Sequence, residues 1–155
     1  MVFLAHLLEE KLDSPTIVVI TDRNDLDSQL FAQFSRCSDF LRQTPVQAQS
    51  RADLAQHISS RRANGIIFTT MQKFEEEAIA LSERKNVVVM VDEAHRGQYG
   101  FEEKYDRDGK KHTGTALLIR RALPNATFIG FTGTPISAED RSTREVFGDY
   151  IDSTT

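Results

Sequence analysis

Val87-Val88-Val89-Met90-Val91-Asp92-Glu93-Ala94-His95 decides the fold. Five apolar residues, four of them β-branched, end abruptly in two adjacent carboxylates and a histidine. A strand that is apolar at every position, rather than at alternate ones, is buried on both faces, the condition of a strand inside a parallel sheet. In open α/β sheets ligands bind beyond the carboxyl ends of the strands, where Asp92 and Glu93 stand. The chemistry that needs two carboxylates there is nucleotide hydrolysis: one holds the magnesium that bridges the phosphates, the other positions and deprotonates the attacking water. Acidic residues also end strands simply as turn formers or helix caps, so the pair alone would mean little. The full string after a buried strand is more specific.

Working outward, the same pattern repeats. Upstream, Leu4, Leu7, Leu8 and Leu12 form a helical stripe over residues 1–12, ended by Asp13-Ser14-Pro15 and lacking an N-cap. Thr16-Ile17-Val18-Val19-Ile20-Thr21 reads as a buried strand. Leu26, Leu30 and Phe34 then mark a helix that Asn24 can cap. After Pro45, Val46-Gln47-Ala48-Gln49 is a weak short strand. Ser50 caps a helix with Leu54 and Ile58 on one face, stopped at Asn64-Gly65. Ile66-Ile67-Phe68-Thr69-Thr70 is the next strand. Phe74, Ala78 and Leu81 predict a glutamate-rich helix. Downstream of the acidic motif, residues 96–114 are polar, with Gly97, Gly100 and Gly109, and read as loop with at most a short helix. Leu117, Leu118 and Leu123 mark a helix before the last strand, 126–131. Five strands alternating with helices give a parallel α/β sheet with right-handed crossovers and helices on both faces. Thr21-Asp22-Arg23, Thr69-Thr70, Asp92 to His95 and Thr132 to Pro135 then converge on one sheet edge.

The 155 residues suit one domain burying about two-thirds of its unfolded surface. With 39% hydrophobic and 27% charged residues the composition is that of a soluble globular protein. A formal charge of −4 argues against a generally basic surface that coats nucleic acid, so any such contact uses local groups. One cysteine, Cys37, precludes an internal disulfide, reads as a packing residue and suits the cytoplasm. The four histidines are scattered, with no zinc-binding spacing. No stretch has the length of a membrane span.

On these motifs the chain resembles the first RecA-like motor domain of superfamily 2 helicases and translocases, and more narrowly the motor (R) subunit of type I restriction enzymes. The narrower resemblance rests on Thr21-Asp22-Arg23-Asn24-Asp25-Leu26-Asp27-Ser28-Gln29, Phe68-Thr69-Thr70-Met71-Gln72-Lys73-Phe74, Asp92-Glu93-Ala94-His95-Arg96 with Gln98, Phe131-Thr132-Gly133-Thr134-Pro135-Ile136, and Val146-Phe147-Gly148-Asp149-Tyr150-Ile151. It implies ATP and Mg²⁺ as cofactors, with Asp92 on the metal and Glu93 the general base. His95 would pair with Thr132 or Thr134 and, with Gly133, couple the nucleotide site to the DNA track. Arg23, Thr70, Gln72 and Lys73 would contact the backbone of double-stranded DNA. For Arg23 and Lys73 the plain alternative is a solvated charge, and for Thr132 a turn residue. Modification and specificity subunits are the implied partners.

One departure matters. These residues contain no Gly-x-x-x-x-Gly-Lys-Ser/Thr phosphate loop, so its nucleotide contacts are not assignable here. In the family that loop precedes the first helix. The expectation is therefore of a partial motor domain over 1–155, without the phosphate-loop strand, with one side of strand 126–131 unpaired, and inactive alone. Alternatives are another superfamily 2 helicase or remodeller, or a non-catalytic nucleic-acid-binding or scaffolding domain.

Overall fold

The computed structural model describes residues 1–21, 24–74, 80–92, 103–105, 107–109, 111–113 and 115–131. The chain runs through α1 (Val2–Lys11), β1 (Thr16–Thr21), α2 (Asn24–Arg36), α3 (Ser38–Leu41), β2 (Val46–Gln47) and α4 (Arg51–Ser59). It continues through β3 (Ile66–Thr70), a 3₁₀ turn (Met71–Phe74), β4 (Val87–Val91), β5 (Glu103–Tyr105), β6 (Lys111–Thr113), α5 (Thr115–Ala122) and β7 (Thr127–Gly130).

The apolar runs explain the architecture. β1, β3 and β4 are buried at every position. They form the middle of a five-stranded sheet in the order β2-β3-β1-β4-β7, all pairs parallel. Strands buried on both faces need cover on both, and the core is accordingly split by the sheet. On one face Val18, Ile20, Ile67 and Val89 pack with Leu54 and Ile58 of α4, Ile119 and Ala122 of α5, and Met71 and Phe74 of the 3₁₀ turn. On the other, Ile17, Val19, Phe68 and Met90 pack with Ala5 of α1, Phe34 of α2 and Leu41 of α3. Phe31 and Phe34 meet the edge of Phe68 at centroid distances of 5.4 and 5.1 Å. Cys37 packs against this second cluster, as its sequence context suggests. The result is a three-layer α/β fold.

At the amino-terminal ends of the strands the connections are stitched to one another. Asn64 and Gly65 turn the chain with φ of 60° and 100°, which a side chain at Gly65 would resist. Asn64 N–H donates to the Ser14 carbonyl, Thr16 Oγ1 to the Asn64 carbonyl, and Asn86 Nδ2 to the Asp13 carbonyl, at 2.7, 2.7 and 2.9 Å. The Arg84 guanidinium adds bonds to the carbonyls of Ile58, Arg62 and Asn86 at 2.9, 3.0 and 3.5 Å.

Five details differ from the sequence reading. The stretch 96–114, expected as loop, contains a two-stranded antiparallel ribbon of β5 and β6. The helix expected from Phe74 to Leu81 does not hold at either described end: Met71–Phe74 is a 3₁₀ turn, and Ala80 and Leu81 are not helical, while 75–79 lie outside the described residues. The physical reason at Leu81 is a tertiary competitor, since its N–H, and that of Ser82, donate to the Ala122 carbonyl that ends α5. The short helix α3 has no counterpart in the sequence reading, and β2 covers only the first half of the run expected as strand. α1 starts at Val2 with no side-chain cap, and α2 includes Asn24 rather than following it. β7 lies at an edge of the sheet among the described residues.

Candidate functional site

Register brings the carboxyl ends of the strands to one level. Thr21 of β1 stands opposite Thr70 of β3, and Val91 of β4 stands opposite Ile20 on one side and Gly130 on the other. Two further bonds extend this ladder: Asp92 N–H donates to the Ile20 carbonyl at 2.9 Å and Phe131 N–H to the Val91 carbonyl at 2.8 Å. Thr70, Thr21, Asp92 and Phe131 thus finish four neighbouring strands side by side. Asp92 leaves β4 in a turn, with its backbone fixed by the bond to Ile20, and is partly exposed. A hard oxygen donor on a fixed backbone at this edge suits a magnesium ion. Glu93, His95, Thr132, Gly133, Thr134 and Arg23 lie outside the described residues, as does the Val146 to Ile151 motif.

The other sequence-predicted group is brought together by the 3₁₀ turn directly after β3. Met71 and Phe74 are buried, which anchors both ends of the turn in the core below α5. Gln72 between them is exposed and Lys73 half-buried. Thr70 is only 3% exposed, and its hydroxyl accepts a hydrogen bond from Lys73 Nζ at 3.2 Å. Thr70 therefore directs Lys73 from inside rather than presenting itself to solvent.

One side chain that sequence reading does not single out also reaches this turn. Arg51, the first residue of α4, donates from Nη1 to the Lys73 carbonyl at 3.1 Å. Ser50 caps the helix as expected, accepting from Asp53 N–H at 3.1 Å, and Asp53 Oδ2 accepts from Gln49 N–H at 2.8 Å. The available signal was electrostatic: a cation at a helix start opposes the helix dipole.

A cavity of about 470 Å³ opens at the opposite end of the sheet, lined by His6, Glu9, Gln43, Arg61 and Asn64 among others. Gln43 bridges there, donating from Nε2 to Glu9 Oε1 and accepting from Gly65 N–H. Burial pushes the Glu9 carboxyl up from its ordinary range, against the opposing pull of the Gln43 bond and of His6. Nothing in this cavity belongs to the Asp92 edge.

The model of the SWI2/SNF2 ATPase family matches residues 1–155. The chain belongs to that family. The family is one of nucleotide-hydrolysing enzymes. The chain is 53% identical over 150 residues to the type I restriction enzyme HindI endonuclease subunit of Haemophilus influenzae, covering 94% of this chain and 14% of that subunit. It is 39% identical to the putative type I restriction enzyme MjaIXP endonuclease subunit of Methanocaldococcus jannaschii, over 97% of this chain and 13% of the relative. The chain thus spans about a seventh of the curated relatives it matches. A solved structure, the Pyrococcus furiosus Hef helicase domain, is similar with a TM-score of 0.43 and 15% identity, over 94% of this chain and 36% of that one. Among the described residues no helix is long and apolar enough to cross a membrane.

Proposed function

We propose that this SWI2/SNF2 ATPase chain is part of the first RecA-like motor domain of a type I restriction enzyme's motor subunit, where ATP hydrolysis drives movement along double-stranded DNA. The observation that carries the reading is the shared edge. Asp92 leaves β4 there beside β1, and β3 runs out at the same level into the Gln72–Lys73 turn, so nucleotide chemistry and DNA contact are neighbours. The resemblance to curated endonuclease subunits supports the narrower assignment.

In this mechanism Asp92 would hold Mg²⁺, and Glu93 would orient the attacking water and take its proton. When bound, the metal neutralises charge developing on the transferred phosphoryl group. His95, Thr132, Gly133 and Thr134 are the residues we assign to coupling the nucleotide site to DNA. Gln72, Lys73 and Arg23 meet phosphates of the duplex, and Thr70 orients Lys73. Modification and specificity subunits supply the DNA target in the assembled complex.

Glu93→Gln in the full subunit tests the base. The amide keeps the volume but accepts no proton from water, so ATP turnover should fall about 10²–10⁴-fold while nucleotide binding persists. Near-normal turnover of the purified variant would remove Glu93 from this role.

A further inference from the structure

Arg51 carries a charge that its own helix disfavours. It begins α4, where the aligned peptide dipoles attract carboxylates and repel cations. Its guanidinium is directed to a different element, where Nη1 donates to the carbonyl of Lys73, 22 residues along the chain. That carbonyl lies at the end of the 3₁₀ turn, where carbonyls outnumber the local donors. We propose that Arg51 is a positioning residue of the nucleic-acid track, pinning the Lys73 backbone and so setting where Gln72 and Lys73 are presented to DNA phosphates. This rests on the reading that the turn meets DNA.

The clamp is held rigidly at its own base. β2 pairs with β3 through Val46↔Ile67 and Gln47↔Phe68, and Ala48 N–H donates to the Phe68 carbonyl at 2.8 Å. The Ser50 cap and the Asp53 carboxylate then fix the entry into α4. Arg51 is therefore anchored to the same strand that leads into the turn it holds, and the path β2, Arg51, Lys73, β3 closes a ring. Within that ring Arg51 holds the backbone of Lys73 and Thr70 steers its ammonium.

The test compares Arg51→Ala, Lys73→Ala and the double variant in the full subunit, using a short fluorescent duplex of arbitrary sequence. Arg51→Ala should weaken duplex affinity about three- to tenfold, the net scale of one typical hydrogen bond. It should raise the DNA concentration for half-maximal ATP turnover more than it changes the maximal turnover. In the Lys73→Ala background it should cost clearly less than in the wild type, because only Gln72 is left for it to position. Arg51→Lys keeps a donor for the carbonyl and should lie closer to wild type than Arg51→Ala does, which separates positioning from misfolding.

A full additional loss on top of Lys73→Ala, with the slope of log affinity against log salt falling by about one more, would make Arg51 a phosphate contact itself and overturn the proposal. An Arg51→Ala variant that shifts melting temperature but not duplex affinity, while Lys73→Ala weakens binding, overturns it and leaves the DNA reading of the turn intact. Unchanged affinity in both Lys73→Ala and Gln72→Ala removes that reading and this inference with it.

Discussion

Glu9 has its carboxyl partly withdrawn from water on α1, and burial raises its pKa above the ordinary 4.5. The sign follows from linkage. A folded-state pKa above the unfolded one contributes stability that is complete below pH 4.5 and is lost as pH rises through the folded value. Glu9→Gln keeps an acceptor for Gln43 but cannot ionise. Its melting temperature should therefore gain on the wild type as pH is taken from the acid range to neutrality, and a constant gap across that range would contradict the assignment. At the Asp92 edge, Lys73 shows how an environment gives one charge a direction. Its ammonium is tied to Thr70 Oγ1, a buried group, so the charge is held at a set place on the turn. Lys73→Ala should weaken binding equally on unrelated duplex sequences and lower the salt slope by roughly one, as for a single phosphate contact. A loss confined to one sequence would point to base contact instead.

Between elements, Arg84 is the clearest single tie. It joins the end of α4 and the following turn to the segment leading into β4 through three backbone carbonyls. Arg84→Ala leaves those acceptors to water or to nothing and should cost on the order of 1–3 kcal/mol. The midpoint of denaturant unfolding should fall with its slope unchanged, and an unmoved midpoint would show the three bonds to be exchanged for water without loss. The strands β1, β3 and β4 were readable because apolar residues run without interruption between punctuating Pro15, Gly65 and Asp92. The ribbon of β5 and β6 was not, because Glu103-Lys104-Tyr105 and Lys111-His112-Thr113 have no apolar alternation to read. Around Leu81 a helical spacing of apolar residues was outweighed by the Ala122 carbonyl, a partner no local window contains. Four-residue α3 is too short for a period to register.

For the whole molecule, catalysis depends on groups that must be assembled. We expect the 155 residues alone to show no measurable ATP hydrolysis, because Asp92 and Glu93 supply a metal ligand and a base but no phosphate-loop motif lies among them. Phosphoryl transfer relies chiefly on positioning and charge neutralisation of the phosphates. An assay beside a chain that includes such a loop and a second motor domain checks this, and Glu93-dependent turnover by the 155 residues would refute it. The strand ends at Asp92 and Thr70 were legible in the sequence because they close apolar runs, whereas the 3₁₀ turn that follows Thr70 was not. Arg51 was not, because its acceptor is reached only after the β2 to β3 excursion has folded back. The placing of β1 has a mechanical consequence. It is paired at five positions to β3 and at five to β4, all parallel. Tension applied along β1 loads both ladders in shear, so the pairs share the strain instead of parting one after another like a zipper. Load carried along β1 is thus divided between two seams.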